Sequence, residues 1–440
     1  MSDFLPRDVL IDVLARLPIK TLVRCACVCK SWYSLLTNPS FITTHLNRSS
    51  VAHNNNNNLL LVRRFSSDDD EEEHYSLLRC EKEMLFCDYA ELDLPLKNDG
   101  GNPYLRVIGC CNGVLCLSDD LITYMDKLYL WNPSIQKTMT LPPLRVTYQS
   151  HGPFMHSIGF GFDSLTDDYK VVRIVYLHGP DGFEAPPEVD IFSVSTGTWR
   201  NISHLGLPYT ILERASQAYV NGAAHWIAYD TERRSNFFYL IVSFHMGDKV
   251  FGEIMVPDSM EDANWMLGVH IAKVQESLSL IHIQLIGIQV TCCIWVMKEY
   301  GISESWTKQF NIDMSEGLFK SVTGFTRKGE VLFGTKAGYL VAYDPEANRA
   351  VPLHIHGSTD SWYRDSLYSD AYTESLVLFG VIFHDTVTCK ESPVLHGKVS
   401  GAKKSRKRRG KTKKKGKEQG SDQGAKSNEE AREGVELLFE

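Results

Sequence analysis

The sequence predicts a small all-α segment at the N-terminus, an all-β propeller-like body behind it and a disordered basic C-terminal tail. Three observations predict this. Apolar residues recur at helical spacing over the first 46 positions. From about Arg106 onward, short strands and turns recur with a period near 50 residues. Lys403 to Lys417 holds eleven Lys or Arg in fifteen residues, with no apolar residue among them.

In the first segment, Val9, Leu10, Val13, Leu14 and Leu17 fall at i, i+1, i+4, i+5 and i+8, which makes one broad helical stripe. Pro6 is tolerated in a first helical turn, and Pro18 is expected to end the helix. A second stripe runs through Leu22, Cys25 or Ala26, Val28 or Cys29, Trp32, Leu35 and Leu36. Pro39 breaks it, and Ser40-Phe41-Ile42 restart a short helix toward Leu46. A unit of about 45 residues lies below the size at which one core is self-sufficient. Part of its apolar surface therefore belongs to a neighbour, at the least to the domain that follows.

Phe4-Leu5-Pro6, the first stripe, Leu17-Pro18-Ile19-Lys20-Thr21-Leu22 and Val28-Cys29-Lys30-Ser31-Trp32-Tyr33, in that order, closely resemble the F-box over Phe4 to Leu46. The resemblance implies that this end binds the Skp adaptor and, through it, a cullin, while the rest of the chain captures a protein target for ubiquitination. It implies that Leu5, Pro6, Val9, Leu17, Pro18, Leu22, Val28 and Trp32 contact the adaptor or shape its surface. For Val9, Val28 and Trp32 internal packing is an equal alternative. Such an interface lays a helix in a groove, with a few apolar anchors carrying most of the energy.

A linker is expected next. Asn54 to Asn58 is a run of five asparagines, and Asp68 to Glu73 is a run of six acids; both read as solvated loop. Between them Leu59-Leu60-Leu61-Val62 reads as a strand, with Tyr75-Ser76-Leu77-Leu78-Arg79 as its hairpin partner.

Two elements recur in the body. Apolar strands ending near Trp131, Phe192, Phe244, Met297 and Tyr343 precede polar turns, at steps of 61, 52, 53 and 46 residues. Turns at Asn112-Gly113, Asn221-Gly222 and Lys328-Gly329 precede apolar strands at steps of 109 and 107, about twice the first period. All-β sequence with this repeat predicts a β-propeller of kelch-like blade length. Five units stand out, and Leu59 to Leu94 can supply strands to a sixth. The kelch double glycine is missing from them, since the only Gly-Gly is Gly100-Gly101 in a loop. The body instead resembles the plant F-box-associated domain from about Val107 to Leu378. The matching residues are Gly109 to Leu117, Leu130-Trp131-Asn132-Pro133-Ser134, Leu141-Pro142, Gly159-Phe160-Gly161-Phe162-Asp163, Asp167 to Val172 and Thr198-Trp199-Arg200. The expected division is thus 1–47 F-box, 48–105 linker with first-blade strands, 106–384 propeller-like domain and 385–440 tail.

Asn132-Pro133 and Asp163 suit turns. Trp131, Trp199, Trp226, Trp295 and Trp306 are expected in blade cores or between blades. His151 to His156, Leu177 to Pro187, Glu232 to Asn236 and Thr359 to Tyr372 are expected loops on one rim, where rigid scaffolds bind. Leu278 to Met297 carries no charge, but its Ile and Val content and its polar interruptions read as two buried strands bent at Gly287, not as a membrane span.

Composition points to a soluble protein of the cytoplasm, the nucleus or both. No basic, apolar leader opens the chain, and eleven cysteines occur without a CxxC, so reduced thiols are expected. No nucleophile elbow is present. His354 and His356 would share a strand face but lack a third ligand. Gly410-Lys411-Thr412 lacks the preceding glycine and strand of a phosphate loop. Asp167-Asp168 reads as loop charge. No catalytic residue, metal or cofactor is therefore expected. Without its basic run the chain would carry −19 instead of −8, so an acidic body disfavours nucleic acid except at the tail. Lys403, Lys404, Arg406, Lys407, Arg408 and Arg409 fit a nuclear import signal as well as a solvated extension. Val435 to Phe439 has no assignable role.

The two resemblances together imply the substrate-recognition subunit of an SCF-type (Skp–cullin–F-box) E3 ubiquitin ligase, without catalysis of its own and with its target unidentified. A pollen-type self-incompatibility receptor for secreted ribonucleases is a subclass of that reading. The alternatives are an F-box regulatory scaffold acting outside the ligase and a propeller enzyme with a helical appendage.

Overall fold

The computed structural model describes residues 6–379, apart from the short segments 53–57, 67–71, 83–84, 97–101, 103, 122–126, 181, 184–185, 231–237, 261–268, 287–288, 315–318 and 360–365. Leu5, Gly287, the loop at 232–236, the basic run at 403–417 and the apolar end at 435–439 lie outside the described residues.

Four helices come first: α1 (Arg7–Leu14), α2 (Ile19–Ala26), α3 (Lys30–Leu36) and α4 (Pro39–Ala52). Two prolines act differently from expectation. Pro18 sits just before α2 in extended geometry and starts that helix, since its fixed φ suits a helix entrance. Pro39 opens α4 as its first residue. Asn38 caps that turn by accepting from Ser40 N–H at 2.9 Å. The second stripe is also two helices. Cys27 caps α2 and Cys29 is extended, so only Cys25 of the three cysteines lies within a helix. Leu14, Ile19, Leu22, Ala26, Leu35, Leu36 and Phe41 form the helical core.

Six antiparallel sheets follow, among the described residues. Five are built in chain order over 106–140, 154–201, 210–254, 269–313 and 319–356 and are termed blades 2 to 6. Blade 1 is composite. Asn58–Ser66, Glu72–Lys82 and Leu85–Leu92 are joined by Leu367–Tyr372, which pairs Leu61 with Asp370 and closes the ring from the far end of the chain. The expected linker thus supplies three strands. The hairpin is as expected, with Leu61 opposite Leu77. The acid run is not all loop: Glu72 and Glu73 begin a strand, and Glu73 accepts from Tyr75 Oη at 2.8 Å.

Strand alternation explains the ring. In blade 1, Leu59 and Leu61 face blade 2, whereas Leu60 and Val62 face blade 6. Blade 2 repeats this, with Leu115 and Leu117 toward blade 1 and Val114 and Cys116 toward blade 3. Six apolar clusters, one between each pair of neighbours, run around the propeller. Each blade therefore completes its core only through its neighbours.

The repeat markers now have a meaning. Trp131, Phe192, Phe244, Met297 and Tyr343 all lie on the third strand of their blade. The Asn112-Gly113, Asn221-Gly222 and Lys328-Gly329 turns join first to second strands in blades 2, 4 and 6, which is why their spacing is doubled. Asn112 and Gly113 both have positive φ (50° and 78°), as a tight two-residue hairpin requires.

The tryptophans are structural. Trp131, Trp226 and Trp306 belong to inter-blade clusters, and Trp199 and Trp295 pack against them. The indoles of Trp199, Trp226 and Trp306 donate to Pro142, Ile158 and Met255 carbonyls at 3.0, 3.2 and 2.9 Å. The uncharged stretch forms the hairpin strands Ser277–Ile286 and Gln289–Met297 of blade 5. No described helix is long and apolar enough to cross a membrane. The ten described cysteines are free thiols, and burial pushes Cys111 up to about 12.

Candidate protein-interaction surfaces

Each blade puts its first-to-second and third-to-fourth turns on one rim, and its second-to-third turn and exit connection on the other. The helices occupy the first of these, the near rim. Ile135, in the third-to-fourth turn of blade 2, packs into the helical core, and Ile42 of α4 packs on the cluster between blades 2 and 3. Within the helices, Arg48 of α4 pairs with Asp12 of α1 and donates to its carbonyl at 3.0 Å. The hydrogen bond from the Arg48 guanidinium to the Asp12 carboxylate holds that carboxyl below its ordinary range. Buried His45 donates from Nε2 to Leu17 O at 3.1 Å, and burial lowers its pKa, so it serves as a neutral tie.

The structure sorts the expected adaptor residues. Val28 is 68% exposed and Val9 is 45% exposed. Pro6 and Pro18 are also exposed. Leu17 and Trp32 are half-buried against the helical core, and Leu22 is 0% exposed within it. Leu22 therefore shapes the surface from inside. Val13, one turn beyond Val9 on α1, is 48% exposed and was missed. The signal was present, since five apolar positions on so short a helix span more arc than one core can cover.

The far rim carries the described parts of the expected loops. Tyr148–His151 is a short helix with a Thr147–Ser150 capping box, and Tyr148 is exposed at its start. Gly179 pairs with Gly182 in the second loop, leaving Phe183 at the surface edge-on to His178. His156 is not in a loop. It lies in the first strand of blade 3, buried, with Nε2 2.7 Å from Asp120 Oδ2. Arg106 forks onto the same carboxylate and reaches Arg214 O, tying blades 2 and 3 to the entrance of blade 4. Leu367–Tyr372, the end of the fourth expected loop, is the closing strand.

The polar motifs considered for chemistry are occupied with structure. Asp163 is buried, pairs with Lys170 and accepts from Leu165 N at 2.9 Å. Asp168 is buried and is not loop charge: it accepts from Ser193 Oγ at 2.5 Å and Ser195 N at 2.9 Å. His354 and His356 do not share a face. His354 takes a left-handed φ of 57°, and the pairing slips beside it. His356 donates to Ala337 O at 2.9 Å. No group of three metal-ligating side chains occurs among the described residues.

Comparison with known proteins places this geometry. The family model described as F-box associated beta propeller domain matches residues 88–379, and the F-box domain model matches residues 3–44. The Arabidopsis thaliana F-box protein At3g07870 is 29% identical over 414 residues, covering 83% of this chain and 90% of the relative. F-box protein CPR1 of the same plant is 28% identical over 83% of this chain and 88% of its own length. The Arabidopsis F-box/kelch-repeat protein At3g23880 is 27% identical over 70% of this chain and 79% of its own. Among solved structures, tricorn protease aligns with a TM-score of 0.34 at 8% identity, covering 69% of this chain and 30% of that one, too loose a likeness to bear on activity. With an F-box packed on the near rim of a six-bladed propeller, the chain belongs to the F-box-associated β-propeller family and is a plant F-box protein.

Proposed function

We propose that this protein is the substrate-recognition subunit of an SCF-type E3 ubiquitin ligase, binding a Skp adaptor, and through it a cullin, with its helices. The observation that carries this reading is the apolar surface left open on a finished helical core. Val9, Val13 and Val28 stay exposed although Leu22, Leu36 and Phe41 are sealed beneath them. Covering the open part of each valine is worth about 1 kcal/mol, so the three together contribute about a hundredfold in affinity. The chain supplies no chemistry in this reading. It raises the local concentration of target lysines near the ubiquitin-charged enzyme.

The far rim is the target-facing surface in this reading, because the helices take up the near rim at blade 2. Exposed Tyr148 and Phe183 are its first candidates for contact. The basic run Lys403 to Arg409 acts as a nuclear import signal, so the protein works in the nucleus as well as the cytoplasm; a fluorescent fusion that enters nuclei equally with all six cations replaced by alanine would refute this. For the ligase reading, purified full-length protein is mixed with purified Skp adaptor and cullin and passed over a sizing column. Co-elution of all three supports the proposal, and separate elution of this protein overturns it.

A further inference from the structure

The strand that closes the ring runs straight into seven residues, Thr373–Phe379, that join the propeller to the F-box. Their backbone is held by blade 2. Asn132, fully buried, donates Nδ2 to Ser375 O at 3.1 Å and to Val377 O at 2.8 Å, while its Oδ1 accepts from Ser134 N at 2.9 Å. The same nitrogen lies 3.2 Å from Ser375 Oγ. One amide side chain thus caps the blade 2 turn with its oxygen and binds the passing chain with its nitrogen. Tyr372 Oη donates to Gly113 O at 3.2 Å and meets Ser134 Oγ at 2.8 Å. Gly113 has no room for a side chain, since a Cβ there would lie 2.2 Å from Thr373 O.

The side chains of this segment divide between two cores. Leu376, 1% exposed, inserts among Leu14, Leu22 and Leu36 of the F-box. Val377 and Leu378 insert into the cluster between blades 2 and 3. Phe379 then packs against Tyr33 of α3, ring centroids 6.0 Å apart. The F-box core is therefore incomplete without a residue that follows it by more than 300 positions and that arrives only after the ring has closed.

We infer that Thr373–Phe379 is a strap that makes ring closure a condition for an ordered F-box, so that the helices hold their binding shape only on a closed propeller. The strap couples two regions that the chain order separates. A propeller whose last strand is lost or unseated presents disordered helices to any partner, and an incompletely folded receptor is kept out of its complex.

Hydrogen exchange on the full chain tests this without any partner, so its outcome is separate from the ligase reading. Two variants are compared with wild type. Asn132→Asp keeps the oxygen that caps Ser134 N but sets a second oxygen against the Ser375 and Val377 carbonyls. Leu376→Asp removes the apolar insertion, and Leu376→Ala replaces it if the first does not yield folded protein. Amide protection over Arg7–Leu36 is expected to fall at least about tenfold in each, while Ala223–Asp230 in blade 4 stays within about twofold of wild type. Wild-type protection of the helices in both variants would overturn the inference. So would an equal loss in blade 4, which would make the segment glue for the ring and not a link to the F-box.

Discussion

The blades and the helices of this protein treat apolar residues differently. Every blade is apolar on both faces and hides both, because the ring gives each face a neighbour. The F-box has one face on the near rim and one with no cover among the described residues. Closure makes the propeller sufficient to itself, and an open end makes the F-box dependent on something else. The difference separates residues that hold the fold from residues available to a partner, although both kinds are leucine and valine.

The largest effect is expected in the blades. Trp131→Ala removes a fully buried indole between blades 1 and 2 and is expected to cost about 3–5 kcal/mol in urea unfolding. Because the strap anchors on the neighbouring Asn132, helical and β signals should unfold together; two separated transitions would show that the regions are independent.

Leu22→Ala tests the inner face of the helices. It should cost about 2–4 kcal/mol and weaken adaptor capture as well, since it collapses the surface from beneath. A stable variant with full capture would place Leu22 outside both roles.

A third expectation concerns pH and falls mainly on the blades. Burial holds His156 and His225 at about 4, against an ordinary 6.5, and His45 in the helices is lowered too. Between those values the unfolded chain binds protons that the native histidines refuse, so stability falls as pH drops from 6.5 toward 4. Asp370, raised to about 6 by burial, acts in the opposite sense between 3.8 and 6, and Glu73, Asp119, Glu330 and Glu374, also raised by burial, act with it, while Asp12, Asp163 and Glu188, held low by their partners, act with the histidines. Urea midpoints at pH 7, 5.5 and 4.5 should decline in that order, and His156→Gln with His225→Gln should flatten the decline. An unchanged slope in the double variant would assign the acid sensitivity elsewhere.

Smaller effects sharpen the surface side. Val13→Ser should leave stability within about 0.5 kcal/mol and weaken adaptor capture severalfold. Tyr148→Ala on the far rim should alter neither stability nor adaptor capture, again within about 0.5 kcal/mol, and should show only in target binding. Loss of adaptor capture in that variant would contradict the assignment of the two rims.

Much of the fold is legible in the residues. Large apolar residues on third strands and glycine turns after first strands recur because the blades solve the same local problem, so periodicity reports them. The closing strand was hidden, because Leu367–Tyr372 pairs with residues about 300 positions away and carries no local mark of it. Asn132 looked like an ordinary turn residue for the same reason: its oxygen does the local work and its nitrogen the distant work. Asp168 resembled loop charge because its partners, Ser193 and Ser195, lie at the end of another strand and in the turn after it. At the F-box the resemblance named suitable residues but could not order them by exposure, which depends on how the four helices meet. Leu22 and Val28 looked alike in the sequence, yet one lies inside the core and the other on its surface.

The most direct test of that distinction is one substitution read two ways. Val28→Asp places a charge at the most exposed of the described valines of the F-box. Its thermal midpoint and its affinity for purified Skp adaptor are measured on the same full-length preparation. An unchanged midpoint and an affinity reduced by at least about tenfold are expected, because the charge would be buried only in the complex. Full affinity at an unchanged midpoint would contradict this, and would show that the open face of the helices is not where the adaptor sits.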